Sequence, residues 1–316
     1  MKTILVTGAS GILGYGILNS LRHGKELKLI GTGKYSYSVG PSFCDIFEKI
    51  PKTSQPNYLE TIIKIIKKHN VNMIIPGTED DVIFLNKYKS KLLETGVFIL
   101  LNNSELITLC TNKWNFYKKL KESNVAKYAI PTYTSKDFNT LPTPFLLKLI
   151  KGYGSKGIVK INDINLFNKY KNEIGSTYIM QPIIGTEDEE YSVSAFFDKN
   201  GNMLDYLTLK RQLSPEGFTL NAETVFEKKW EKIIVEFANI FKPVGPTNFQ
   251  FRLTEEAVKL LEINPRISSA TSIRTAFGYN ESLLSVEYFL NNESGRNANK
   301  KSGYAIRYVD DMIFYE

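Results

Sequence analysis

Residues 245–266 read GPTNFQFRLTEEAVKLLEINPR. Side chains alternate between the two faces of a strand. Asn248, Gln250 and Arg252 therefore share one face of the first segment, and Phe249, Phe251 and Leu253 share the other. In the second segment Glu262, Asn264 and Arg266 share one face, and Leu261 and Ile263 the other. A hairpin with a short loop around Glu256 sets Gln250 opposite Glu262 and Asn248 opposite Asn264. The result is a dense polar face backed by Phe, Leu and Ile. A merely solvated face favours Lys, Thr and Glu over such an Asn/Gln cluster. A carboxylate with amide oxygens suits Mg²⁺, which keeps substrate phosphates and water in its shell. Arg266 beside them suits a phosphate oxygen.

Toward the N-terminus, residues 190–198 and 203–212 alternate around Asn200-Gly201, a strong hairpin signal. A helix is expected over about 227–241 and a strand at TYIMQPII (177–184). Lys148 stands on a further strand, PFLLKLI (144–150), ahead of the turn GYGSKG (152–157) and a returning strand IVKI (158–161). A Gly/Ser loop of this kind can fold over phosphates and donate backbone N–H groups, with lysines neutralising charge. An ordinary glycine hairpin with solvated lysines reads the same way. Hairpins with inserted helices indicate antiparallel α+β subdomains.

The first 105 residues follow another rule. Apolar runs at 3–7, 27–30, 71–77 and 96–102 alternate with helical patterns, as in Leu59, Ile62, Ile63 and Ile66. That alternation implies a parallel sheet with helices on both faces. The turn after the first run carries Gly8, Gly11 and Gly14. A dinucleotide site usually places an acid at the end of the second strand, but here Gly31-Thr32-Gly33-Lys34 stands there. The glycine turn is read as structural. A reductase or epimerase of the short-chain dehydrogenase type is the second reading. Its Tyr-x-x-x-Lys pair is matched loosely at Tyr117/Lys121 and Tyr206/Lys210, as chance alone provides in a chain rich in both residues.

Composition narrows the classes. The formal charge is +7, with basic residues scattered rather than gathered in a stripe with aromatics, which argues against nucleic acid as a partner. Cys44 and Cys110 are the only cysteines and His23 and His69 the only histidines, so neither a disulfide framework nor a zinc site is expected. No apolar run is long enough to span a bilayer. The start MKTILVTGAS turns to Gly and Ser too early for a signal peptide, so a cytoplasmic protein is expected.

Taken in order, these segments resemble the ATP-grasp superfamily, and most closely the lineage of the carbamoyl phosphate synthase large subunit. GPTNFQFRLTEEAVKLLEINPRISSATS resembles the family's metal-binding signature. The resemblance implies that Gln250, Glu262 and Asn264 hold Mg²⁺ (with Mn²⁺ as a substitute) and that Arg266 contacts the transferring phosphate. PFLLKLIKGYGSKGI resembles the strand, lysine and glycine lid, so Lys148, Ser155, Lys156 and Gly157 are expected at ATP phosphates. TYIMQPIIGTEDEEYSV resembles the hinge that grips adenine. Gln181, Pro182, Ile183 and Ile184 would meet the base, and Glu190 the ribose. TNKWNFYKKLKESNVAKYAIPTY resembles the entry helix, with Lys113 near the nucleotide. Lys210 and Arg211 sit where the family carries basic catalytic residues on a central strand. Leu149 and Ile150 replace the usual Pro and Arg, and Ser268-Ser269-Ala270 the usual glycines, changes that would retune the acceptor pocket.

The expected architecture is α/β and α+β: a Rossmann-like domain over 1–105, a small lid subdomain over 106–184, and a subdomain over 185–316 with the metal site. The implied activity is an ATP-dependent carboxylate–amine ligase working through an acyl phosphate. Its partners would be a small carboxylic acid and an amine or related nucleophile, and a homodimer fits the resemblance. A non-catalytic nucleotide-binding protein is the remaining alternative.

Overall fold

The structure is a computed structural model that describes residues 1–152, 157–293 and 299–314. Its first sheet is parallel, in the order β3-β2-β1-β4-β5. The strands are β1 (Lys2–Val6), β2 (Leu27–Gly33), β3 (Ile46–Lys49), β4 (Met73–Ile75) and β5 (Phe98–Ile99). Helices α1 (Ile12–Leu21), α2 (Tyr58–His69), α3 (Glu79–Lys87) and α4 (Lys89–Leu93) connect them. Alternation on β1 decides the layering. Ile4 and Val6 pack with Leu13, Ile17 and Leu21 of α1, while Leu5 packs with Ile62, Ile66 and Leu85 on the other face.

The glycines after β1 are needed for close approach. A Cβ on Gly14 would lie 2.1 Å from the Gly8 carbonyl oxygen, and one on Gly77 2.0 Å from that of Thr7. The turn before α3 is thereby pressed against the turn before α1. Beneath it, the buried Asp81 carboxylate accepts hydrogen bonds from Thr7, Tyr58 and Thr78 hydroxyls. Thr78 also caps α3, its hydroxyl accepting the Asp81 backbone N–H.

Helices α5 (Ser104–Cys110) and α6 (Lys113–Lys121), capped by Asn103 and Asn112, lead into a small antiparallel sheet, β7-β6-β8. Its strands are β6 (Phe145–Leu149), β7 (Val159–Ile161) and β8 (Tyr178–Pro182), covered by α7 (Ile164–Tyr170). The third sheet is antiparallel, in the order β13-β12-β9-β10-β11-β14. It comprises β9 (Glu190–Phe197), β10 (Met203–Leu213), β11 (Thr219–Val225), β12 (Gly245–Leu253), β13 (Val258–Asn264) and β14 (Tyr304–Ile306). Helix α8 (Lys228–Phe241) covers one face with Trp230, Phe237 and Phe241, packed on Phe249 and Phe251. Helices α9 (Thr271–Ala276) and α10 (Glu281–Asn291) cover the other.

The fold is the expected combination of a parallel Rossmann-like sheet and a two-part α+β grasp. Between β4 and β5 the helical stretch is broken at Tyr88 into α3 and α4. Strands β3 and β14 were not expected. Among the described residues no helix is long and apolar enough to cross a membrane.

Candidate active site

A cleft of about 1120 Å³ opens between the three-stranded and six-stranded sheets. Its floor is the polar face of β12 and β13. Pairing sets Asn248 opposite Asn264 and Gln250 opposite Glu262, the register that alternation predicts. The register then shifts between Gln250 and Phe251, so that Phe251 faces Leu260. This corrects one expectation. An extra residue in one strand moves its side chain to the other face, so Leu260, not Leu261, joins Ile263 in the core, and Leu261 lines the cleft.

A hydrogen-bonded chain runs along this floor. Asn264 Nδ2 donates to Glu262 Oε1 at 2.9 Å, and Arg266 Nη2 donates to Asn264 Oδ1 at 3.2 Å. Arg266 Nε then donates to Glu79 Oε2 at 2.7 Å. Glu79 stands in the first turn of α3, so the parallel-sheet region contributes an acid to the cleft. This contact was not expected from the sequence. The acidic helix start was visible, whereas its meeting with a residue 187 positions away was not.

Lys148 and Lys113 bring positive charge to the same cleft. Lys148, on β6, makes no hydrogen bond among the described residues. Burial pushes its amine down to about 8, with Lys113 and Arg252 adding to the effect and Glu262 and Glu190 opposing it. Lys113 opens α6 and donates from Nζ to the Gly152 carbonyl. Burial lowers its pKa too, against Glu262 and Glu79. Burial raises the Cys110 thiol, and the carboxylates of Glu79 and Glu262 raise it further. Those two acids and Lys113 are therefore electrostatic neighbours.

Gln181 lines the cleft from β8 and donates to Thr132 Oγ1 at 2.8 Å. Pro182 ends that strand, Ile183 is exposed, and the Ile184 carbonyl accepts from Arg252 Nη1 at 3.4 Å. Glu190 is buried at the cleft wall. One of its oxygens accepts from Arg211 Nη2 at 3.0 Å and the other from Arg252 Nη2 at 2.7 Å. Oε1 also accepts from Arg211 Nε at 3.3 Å, so the further acceptor position lies on Oε2. Gly157 is exposed at φ +70°, while Ser155 and Lys156 lie outside the described residues.

Lys210 departs from its expected place. Its neighbour Arg211 faces Glu190 and is buried, so alternation turns Lys210 to the opposite face. There its amine bonds Glu189 at 2.5 Å and lies 5.8 Å from the Tyr191 ring centre. It does not line the cleft. Gln250, Glu262, Asn264, Lys113, Lys148, Gln181 and Glu190 do share it, and Arg266 and Arg211 are tied to them by the bonds above.

The donor set fits a magnesium ion. Glu262 Oε2 and the Gln250 amide make no hydrogen bond among the described residues, and both residues line the cleft. These hard oxygens, with Asn264 beside them, leave positions for phosphate and water. Among the described residues no cluster of three His, Cys, Asp or Glu is present that could hold a metal without them.

Known proteins share this arrangement in part. A family model described as "PylC-like, N-terminal domain" matches residues 10–100, and one described as "ATP-grasp in the biosynthetic pathway with Ter operon" matches residues 178–312. The carbamoyl phosphate synthase large chain of Thermoanaerobacter sp. (strain X514) is 24% identical over 237 residues, covering 69% of this chain but only 22% of that protein. The crystal structure of the ADP complex of purK, an N5-carboxyaminoimidazole ribonucleotide synthetase, matches with a TM-score of 0.74 at 15% identity, over 96% of this chain and 81% of that one. An L-amino acid ligase from Bacillus licheniformis matches with a TM-score of 0.68 at 14% identity, over 95% and 78%. At such identities the structural likeness is one of fold. Over residues 10–100 and 178–312 the chain is thus similar to ATP-grasp proteins, among them the carbamoyl phosphate synthase large chain, with a Rossmann-like sheet ahead of the grasp.

Proposed function

We propose that this cleft binds MgATP and that the chain is an ADP-forming ligase, which activates a small carboxylic acid and joins it to an amine. The observation that carries the reading is the register of β12 and β13, which sets Gln250, Glu262 and Asn264 on one cleft-facing floor. When bound there, magnesium would offset the charge that develops on the transferring phosphoryl group. Lys148 and Lys113 would meet ATP phosphates from the opposite wall, and Arg266, oriented by Glu79, the phosphoryl group in transfer. Residues 181–184 would hold the base and Glu190 the ribose. Their contribution is chiefly positioning and electrostatic stabilisation.

In the first step a carboxylate oxygen attacks the γ-phosphorus. The bond from that phosphorus to the β–γ bridging oxygen breaks, giving ADP and an acyl phosphate. In the second step the amine nitrogen attacks the acyl carbon and phosphate leaves, taking up the proton the nitrogen loses. The relatives' names support the class: one is a synthetase solved with ADP and another a ligase of amino acids. The test is an ADP-release screen over pooled acids and amines. The reading expects release that needs both magnesium and an acid. Release that continues without magnesium, or no release from any pool, contradicts it.

A further inference from the structure

Strand pairing places Arg211 of β10, Glu190 of β9 and Arg252 of β12 in one register row. Two guanidiniums thus flank one carboxylate, but they hold it unequally. Arg211 donates from both Nε and Nη2 to Glu190 Oε1, at 3.3 and 3.0 Å. Oε2 is bound by Arg252 Nη2, at 2.7 Å. Oε1 is therefore occupied, and the acceptor position left to a ligand sits on the oxygen that Arg252 directs.

Arg252 also reaches the chain that leaves β8. Its Nη1 donates to the Ile184 carbonyl at 3.4 Å. Gly185 presses that turn onto the arginine stem. A Cβ there would lie 2.5 Å from the Leu253 carbonyl oxygen and 3.1 Å from Arg252 Cγ, and its φ of +56° also favours glycine. One side chain thereby joins the floor strand, the wall carboxylate and the turn after β8. Arg211 is buried, whereas Arg252 keeps 19% of its side chain exposed and lines the cleft with Glu190. Both stand near Lys148. Behind the larger effect of burial, Arg252 lowers the pKa of that amine and Glu190 raises it. Each Nη of Arg252 carries a second N–H. The pair can thus accept the proton of one hydroxyl and donate to the oxygen of its neighbour.

We infer that Arg252 sets selectivity for the ribose of the nucleotide, as a positioning residue that aims Glu190 Oε2 and completes a donor–acceptor pair suited to a vicinal diol. The inference rests on the proposed reading of this cleft as a nucleotide site.

Calorimetric titration of the full chain with ADP and with 2′,3′-dideoxy-ADP, each with magnesium, tests it. ADP should bind about tenfold more tightly, the effect of a hydrogen bond to a charged group. Arg252→Met keeps the stem beside Gly185 and leaves Glu190 paired with Arg211, so that no buried charge is stranded. It should shrink the preference to about threefold or less, chiefly by weakening ADP. Arg252→Lys, with one donor head for the Glu190 and Ile184 acceptors, should fall between the two. A merely structural role would weaken both nucleotides together and leave their ratio unchanged. Equal affinity of the unmodified chain for the two nucleotides, binding of neither, or a ratio that neither variant lowers overturns the inference. Acid-dependent ADP release alongside an unmoved ratio sinks the inference and leaves the ligase reading standing. A ratio lost in Arg252→Met, with no release from any acid pool, does the reverse.

Discussion

The two faces of β12 meet opposite kinds of surroundings. Phe249 and Phe251 meet Trp230 and Phe237, with ring centres 5.5–5.8 Å apart. One residue out of phase, Asn248, Gln250 and Arg252 meet Ser192, Glu262 and Glu190. The first face gains by excluding water from apolar surface. The second gives up hydration of polar groups and recovers it only where partners are supplied. The apolar face therefore fixes the strand, and the polar face turns Gln250 and Arg252 to the cleft. A slip of one residue would exchange them, which is why the aromatic side guards the geometry of the cleft.

Substitutions that separate the faces should give separable effects. The largest is expected from Phe251→Ala, which removes a fully buried ring and should cost about 3–5 kcal/mol of stability. Denaturant unfolding measures it, and a loss below about 1 kcal/mol would show that the aromatic face does not hold the strand. Glu262→Gln keeps shape and loses charge. It should lower acid-dependent ATP turnover by about 100-fold or more while leaving the unfolding midpoint nearly unchanged, because the ion that offsets phosphate charge is less firmly held. Full turnover at limiting magnesium would contradict that.

Lys148 offers a subtler probe. Its amine titrates near 8 in the unliganded cleft, and bound phosphates would favour the protonated form. Binding must then restore a proton whenever the pH exceeds that value. Affinity for the magnesium–nucleotide analogue should be flat below about pH 8 and fall roughly tenfold per unit above it, until the raised pKa of the complex is passed. Lys148→Arg should flatten the curve, since arginine stays charged. An unbent wild-type profile through pH 9 excludes this lysine from the phosphate site.

Glu79→Gln should lower kcat/KM for the acid by about tenfold, as Arg266 loses a charged partner, with Glu79→Asp recovering part of the loss. An unchanged value would reduce the Glu79 contact to a structural one. The smallest effect is expected from Lys210→Ala, which lies on the far face in a partly exposed pair worth at most about 1 kcal/mol. A hundredfold loss of turnover there would break the comparison, because it would put chemistry on the wrong side of the sheet.

Local periodicity made much of this legible. The pairing of Gln250 with Glu262 follows from a period of two and a short loop. The same rule, applied to Lys210 and Arg211, shows that adjacent strand residues cannot both face the cleft. The bulge at Leu261 was hidden because it depends on Leu260 finding room in the core. Glu79 was hidden because its partner, Arg266, belongs to a different sheet region, and no local spacing records that contact. Buried Arg274 and Glu281 fall on short helices whose polar residues look like solvated positions until the layer above the sheet is assembled.

The central claim is that Gln250, Glu262 and Asn264 hold the metal that accompanies ATP. A crystal structure with magnesium and a non-hydrolysable ATP analogue tests it directly. The account predicts the triphosphate over β12 and β13, with the ion at about 2.1 Å from a Glu262 oxygen and from amide oxygens of Gln250 and Asn264. Nucleotide bound instead at the Gly8–Gly14 turn, or an ion in the cleft that touches none of these side chains, would contradict it.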